Sequence, residues 1–113
     1  MPPESDVIRV RHMLNASRDA LSYVDGRTRA DLVTDTMLVR ALVKCIEIVG
    51  EAASKVTAET RNELSAVPWT DIVGMRNRLI HTYYDVDLEL VWATVEVDLP
   101  PLVAALDGWL SSR

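Results

Sequence analysis

The chain has 113 residues and a mass of 12.6 kDa, enough for one hydrophobic core and too little for two. Hydrophobic residues make up 49% and charged residues 26%, the balance of a folded globular domain and not of a disordered chain. A net charge of −5 and a pI near 4.9 exclude a broad basic surface that coats nucleic acid nonspecifically, so any nucleic-acid contact must be local or assisted by a partner.

The expected organisation is a single domain over residues 1–113. No apolar run approaches the roughly 20 residues that span a bilayer, and Met1-Pro2-Pro3-Glu4-Ser5-Asp6 lacks the basic-then-apolar pattern of a signal peptide. The expected location is therefore cytoplasmic, with no membrane partner. Cys45 is the single cysteine, which rules out an internal disulfide and a cysteine-rich metal site. Its apolar helical surroundings predict a buried packing thiol.

In chain order, a first helix is predicted from a Ser5 or Asp6 cap to Asp25-Gly26, with Val7, Val10, Leu14, Ser17, Leu21 and Val24 on one face. That seven-residue repeat suits nearly antiparallel packing against another long helix. The second helix begins near Asp35 and carries Leu38, Ala41, Leu42, Cys45, Ile48, Val49, Ala52 and Val56 as its core stripe. Within it, Gly50 and Ala53 make a small-x-x-small step that admits a close neighbour. A short turn of helix over 58–64 leads to Val67-Pro68-Trp69, where proline opens a third helix expected to end near Tyr84. Asp85 or Asp87 caps a fourth with Leu88, Val91, Trp92 and Val95 on its face. Pro100-Pro101 disfavours helix at Leu99 and forces a kink or restart before Leu102, Val103, Leu106, Trp109 and Leu110. No strand alternation or Asn-Gly hairpin signal interrupts these patterns, so the predicted class is all-α, an antiparallel bundle of four to five helices.

The chemistry concentrates in Arg76-Asn77-Arg78-Leu79-Ile80-His81-Thr82-Tyr83-Tyr84, which holds a fixed cation, an amide, one of two histidines and two phenols. On a continuous helix Arg76 and Tyr83 fall within about 20° of each other, whereas His81 sits about 140° from Arg76. Arg76 and His81 can share a site only if the helix loosens near His81 or a second helix or subunit forms the opposite wall. The residues alone leave a plainer alternative open, in which Arg76 makes a structural ion pair, His81 caps a helix and the tyrosines pack with their polar tips outward. Glu51 is equally suited to pairing with Arg76 and to a solvated surface. His12 reads as an exposed structural residue, and Asp85 and Asp87 read as caps. There is no metal ligand set and no Gly-rich phosphate loop, so no cofactor is expected.

Met75-Arg76-Asn77-Arg78-Leu79-Ile80-His81-Thr82-Tyr83, preceded by Pro68-Trp69 and followed by Val86-Asp87-Leu88 and Val91-Trp92, resembles the HepT-like branch of the HEPN superfamily. The resemblance extends to Cys45-Ile46-Glu47-Ile48-Val49-Gly50-Glu51-Ala52-Ala53 and to Asp98-Leu99-Pro100, in the same order along most of the chain. Members of that family are small helical bundles, commonly homodimers, and are the toxin halves of toxin–antitoxin pairs whose antitoxin is a minimal nucleotidyltransferase. Their motif of arginine, four to six residues, histidine, and a tyrosine two further on is matched by Arg76, His81 and Tyr83, with Asn77 as the usual polar neighbour. The chain departs from the pattern at Thr82, where many relatives carry glycine.

The resemblance implies a metal-independent endoribonuclease acting on RNA at a composite site in a homodimer cleft. Arg76 and His81 are implied as catalytic residues, Asn77 as a group that orients the phosphate or His81, and Arg78 as an RNA-binding residue. Tyr83 is implied as the residue adenylylated by the nucleotidyltransferase antitoxin, while Tyr84 reads as a packing residue. Such chemistry needs a base for the 2′-hydroxyl, an acid for the leaving oxygen and a cation for the phosphorane charge. Arg9, Arg11, Arg18, Arg76 and Arg78 are expected to gather near one groove and offset the acidic balance. Two competing readings remain at this level: a noncatalytic HEPN module that binds a nucleotide or partner, and a structural helical dimerisation protein.

Overall fold

Two long amphipathic helices dominate the fold. Helix α1 (Glu4–Val24) buries Val10, Met13, Leu14, Ser17, Ala20 and Val24, and helix α3 (Thr36–Ser54) buries Leu38, Leu42, Cys45, Ile46, Val49 and Ala53, each the stripe that a 3.6-residue period lays along one side. The two stripes face each other, joined by a short connection that contains helix α2 (Asp31–Thr34). The computed structural model describes residues 2–82 and 85–113, without the side chains of His81 and Thr82.

Elsewhere along the chain come α4 (Ala58–Glu63), α5 (Trp69–Val73), α6 (Met75–Leu79), a two-stranded antiparallel ribbon of β1 (Ile80–Thr82) and β2 (Asp85–Val86), α7 (Leu88–Ala93), a π-helical segment (Thr94–Asp98) and α8 (Leu99–Ser111). The architecture is an all-α helical bundle, as predicted, with α8 packed along α1 and with α5, α6 and α7 against α3. One contiguous core runs through it, centred on Met13, Leu42, Ile46, Met75, Leu79, Leu99 and Leu106. Among the described residues, no helix is long and apolar enough to cross a membrane.

The ends of α1 differ from the prediction. The helix starts at Glu4, with Pro3 as an N-cap that makes no side-chain cap bond. Asp6 does not cap α1 but is buried within it at 1% exposure. Its carboxylate accepts hydrogen bonds from the Thr57 amide at 3.2 Å, the Thr57 hydroxyl at 2.5 Å and the Thr60 hydroxyl at 2.6 Å. Asp6 thus serves the N-terminus of α4, whose first turn has orphan amides to satisfy. Burial raises the pKa of this carboxyl, but the hydrogen bonds from Thr57 and Thr60 outweigh it and hold Asp6 below the ordinary aspartate value. At the other end, Gly26 takes the left-handed conformation at φ 73°, which lets the chain turn away from α1.

Asp35, near the expected start of the second helix, caps α3 by accepting from the Leu38 amide at 3.0 Å, and Asp87 caps α7, as expected, through the Leu90 amide at 3.0 Å. The prolines behave differently from expectation. Leu99 is helical, at φ −72° and ψ −38°, and Pro100 and Pro101 occupy the first turn of α8. The preceding π-turn absorbs the mismatch, since its wider spacing shifts the carbonyls that the proline rings would otherwise strike.

Candidate active site

Tight packing of one segment against α3 places the candidate side chains. A Cβ on Gly50 would lie 3.2 Å from the Ile72 carbonyl oxygen and 3.3 Å from that of Val73, so the small-x-x-small step does admit the backbone of α5. Ile72, Met75 and Leu79 are then buried, at 4%, 1% and 1% exposure. With those three turned inward, Arg76, Asn77 and Arg78 are left exposed on the outer side of the segment. Trp69 anchors its start: the indole Nε1 donates to the Leu64 carbonyl at 3.1 Å, and the Arg61 guanidinium lies 5.3 Å from the ring centre.

The third predicted helix is divided and shorter than expected. Gly74, at φ −88° and ψ 0°, separates α5 from α6, and Ile80 is already extended at φ −118° and ψ 107°. The Asp87 amide donates to the Leu79 carbonyl at 2.7 Å, and Ile80 pairs with Val86 across the ribbon. The helix therefore stops where β2 supplies a competing partner for its last carbonyls. As a result His81 stands on strand β1, and the 140° helical separation from Arg76 does not apply. The loosening that a shared Arg76–His81 site requires is present in the backbone. The His81 side chain, and Tyr83 and Tyr84 entirely, lie outside the described residues.

Arg76 and Arg78 point to opposite sides of α6. The Arg76 Nε donates to Glu47 Oε2 on α3 at 2.8 Å. The Arg78 Nη2 donates to the Asp71 carbonyl at 3.1 Å, and its Nη1 lies 3.5 Å from the Asp71 carboxylate. Arg78 thus lines a different groove, a cavity of about 540 Å³ between α5, α6, the π-segment and α8 that also contains Pro68, Met75, Asp98 and Leu102. Asn77 lies exposed between the two arginines.

Glu47 is the residue that sequence reasoning missed. Arg76, followed by Lys44 at 3.2 Å, holds its carboxyl below the ordinary glutamate value. Glu51, considered in that role from the sequence, instead faces Lys55 at 3.9 Å and is 72% exposed at its side chain. The signal was present at Gly50. If Gly50 meets Ile72 and Val73 in an antiparallel crossing, one turn onward to Arg76 corresponds to one turn back on α3, which is Glu47.

The expected clustering of arginines is only partly realised. Arg9 lies in a groove that shares Glu47 with Arg76, but Arg18 pairs with Asp107 of α8 at 3.2 Å and Arg78 turns to Asp71. His12 is exposed, as expected, and lines the same groove as Arg9. Cys45 is buried, and that burial, with the nearby Asp19 charge, pushes its thiol pKa up, as befits an unreactive packing residue.

The comparisons with known proteins identify the family. Residues 13–107 match the family model described as ribonuclease HepT-like. A protein named "Putative RNase" from Caldanaerobacter subterraneus subsp. tengcongensis is 38% identical over 93 residues, covering 82% of this chain and 83% of its own. Another of that name from Methanocaldococcus jannaschii is 30% identical over 90 residues, covering 80% and 83%. A "Probable ribonuclease HepT" from Thermococcus cleftensis is 31% identical over 88 residues, covering 74% and 80%. No solved structure gives a significant match. With the matched residues spanning the second half of α1, all of α3, the Arg76 segment and most of α8, the chain belongs to the HepT-like ribonuclease family.

Proposed function

We propose that the protein is a metal-independent endoribonuclease, the toxin half of a toxin–antitoxin pair, acting in the cytoplasm with residues 1–113 as one HEPN domain. Its substrate is RNA, and its site is composite, assembled in the cleft of a homodimer. The observation that carries this reading is the state of Arg76. Glu47 engages the guanidinium through Nε, which fixes the plane of the group and leaves the two Nη nitrogens for the paired oxygens of a phosphate.

In the reaction, a base removes the proton of the 2′-hydroxyl and the 2′-oxygen attacks the adjacent phosphorus. The bond from phosphorus to the 5′-oxygen then breaks, and an acid protonates that oxygen, leaving a 2′,3′-cyclic phosphate and a 5′-hydroxyl. His81 from each of two protomers supplies the base and the acid, Arg76 stabilises the negative charge on the phosphorane oxygens, and Asn77 orients the phosphate. Adenylylation of Tyr83 by a minimal nucleotidyltransferase antitoxin silences the site by adding bulk and negative charge where RNA phosphate must sit.

Replacing Arg76 tests this reading. Arg76→Ala should fold as wild type and lose roughly 10²–10³-fold in kcat/KM for RNA cleavage, the usual cost of removing one oxyanion-stabilising group. Arg76→Lys, which keeps the charge and loses the fork, should recover only part of that loss. Full cleavage by folded Arg76→Ala would overturn the assignment.

A further inference from the structure

Beside Arg76, on the outer side of Glu47, α1 and α3 form a second polar groove. It has a volume of about 190 Å³ and is lined by Arg9 and His12 of α1, by Lys44, Glu47, Ile48, Glu51 and Ala52 of α3, and by Lys55 just after it. With Arg76 at its edge the groove gathers four fixed cations against two carboxylates, on a chain whose overall charge is −5. This is a local reversal of sign in an acidic protein, and it adjoins the group proposed to hold the scissile phosphate.

The carboxylates do not cancel it. Glu47 is shared between Arg76 and Lys44, so one negative charge faces two positive ones. Glu51 is largely solvated and reaches only Lys55, at 3.9 Å, a separation at which an exposed pair is weakly held. Among the described residues, Arg9 and His12 have no hydrogen-bond or ion-pair partner. Ile48, 38% exposed, and Ala52 give the groove an apolar floor suited to the carbon face of a sugar.

We propose that the groove of Arg9, His12, Lys44 and Lys55 is a subsite for the sugar-phosphate backbone of RNA, continuous with the Arg76 site across Glu47. Resting on the ribonuclease reading above, it assigns the path of the strand beyond the cleaved bond. A flanking phosphate is held by Arg9, Lys44 and Lys55, the His12 ring donates one hydrogen bond, and the ribose lies over Ile48 and Ala52. Because these contacts address the backbone, the subsite strengthens binding without selecting sequence.

The test is equilibrium binding of a single-stranded RNA oligonucleotide by the full chain in the cleavage-deficient His81→Ala background, measured across a salt series. Arg9→Ala and Lys55→Ala, neither of which touches Glu47, should each weaken binding and lower the slope of log affinity against log salt by about 0.7, the value for one phosphate contact on a single strand. The double variant should lower it by about twice that. Arg18→Ala, paired to Asp107 on α8, serves as the control that should leave the slope unchanged. Arg76→Ala separates this proposal from the reading beneath it. If Arg76→Ala lowers affinity while the Arg9 and Lys55 double variant keeps the full slope, the subsite is refuted and the ribonuclease reading stands. If the parent protein itself binds no RNA at low salt, both are refuted.

Discussion

The Nε of Arg76 donates to Oε2 of Glu47 at 2.8 Å, a bond that joins α6 to the middle of α3 and fixes the orientation of the guanidinium. With side-chain exposures of 47% and 38%, the pair is too solvated to contribute much stability, and its loss should cost less than about 1 kcal/mol. Its value lies in orientation. Glu47→Gln should leave the denaturation midpoint nearly unchanged and reduce cleavage by about tenfold, on the order of 1.4 kcal/mol of lost preorganisation. Glu51→Gln, on the next turn of α3, touches Lys55 and not Arg76, so it should not reproduce that tenfold loss of cleavage. Parallel denaturant melts and single-turnover cleavage of the two variants check both statements.

Gly50 sets the distance between α3 and the segment that carries Arg76. Valine there would press on the Ile72 and Val73 carbonyl oxygens, which already lie 3.2 and 3.3 Å from where a Cβ would stand. Gly50→Val should destabilise the fold by about 1–3 kcal/mol. It should also lower cleavage more than stability alone explains, because displacement of α5 carries Arg76 away from Glu47. Activity measured well below the melting midpoint separates the two effects.

Asp6 ties α1 to α4 through three hydrogen bonds from Thr57 and Thr60. Asp6→Asn should cost about 1.5–3 kcal/mol at neutral pH, the range for hydrogen bonds to a charged group. Because the folded-state pKa lies below the unfolded one, the contribution is fully present above the unfolded value of about 3.9. It is lost as pH falls through the lower, folded value. Denaturation at neutral pH should therefore separate wild type from Asp6→Asn, and the gap should narrow below about pH 4.

The Ser17 hydroxyl is buried in α1 with no hydrogen-bond partner among the described residues. An unpaired buried hydroxyl costs about 1–3 kcal/mol, and replacing it by an apolar group of similar shape removes that cost. Ser17→Ala should raise stability or leave it unchanged, with activity unaffected. A clear loss of stability in a thermal melt would show that the hydroxyl has a partner.

The bundle was legible in the sequence wherever periodicity and caps agreed. The buried faces of α1 and α3, the helix start at Asp35, the Asp87 cap and the short α4 follow largely from local pattern, except that Ile46, off the expected α3 stripe, is fully buried while Ile48, on it, is 38% exposed. The pattern also misled where long-range contacts or an unsignalled π-turn override it. Asp6 has the chemistry of a cap for its own helix, but it caps one 51 residues away. The helix expected to reach Tyr84 ends at Leu79, because the Asp87 amide and the Ile80–Val86 pairing compete for the backbone. Leu99 stays helical before Pro100, because the π-turn that makes room for the ring has no local sequence signature. At the site, Arg76, Asn77, Arg78, His81 and Tyr83 were legible as a motif, while the Glu47 partner depended on the α3–α6 register.

Incubating a panel of defined RNAs, transfer RNAs included, with wild type and folded His81→Ala in excess chelator tests whether cleavage depends on His81 and not on a metal ion. Mass spectrometry should first show that Tyr83 carries no nucleotidyl group. The proposed mechanism predicts cleavage by wild type alone, with 2′,3′-cyclic phosphate ends. Cleavage by His81→Ala at the wild-type rate would contradict the assigned role of His81, and no cleavage by unmodified wild type on any RNA of the panel would contradict the ribonuclease reading and favour a noncatalytic binding module.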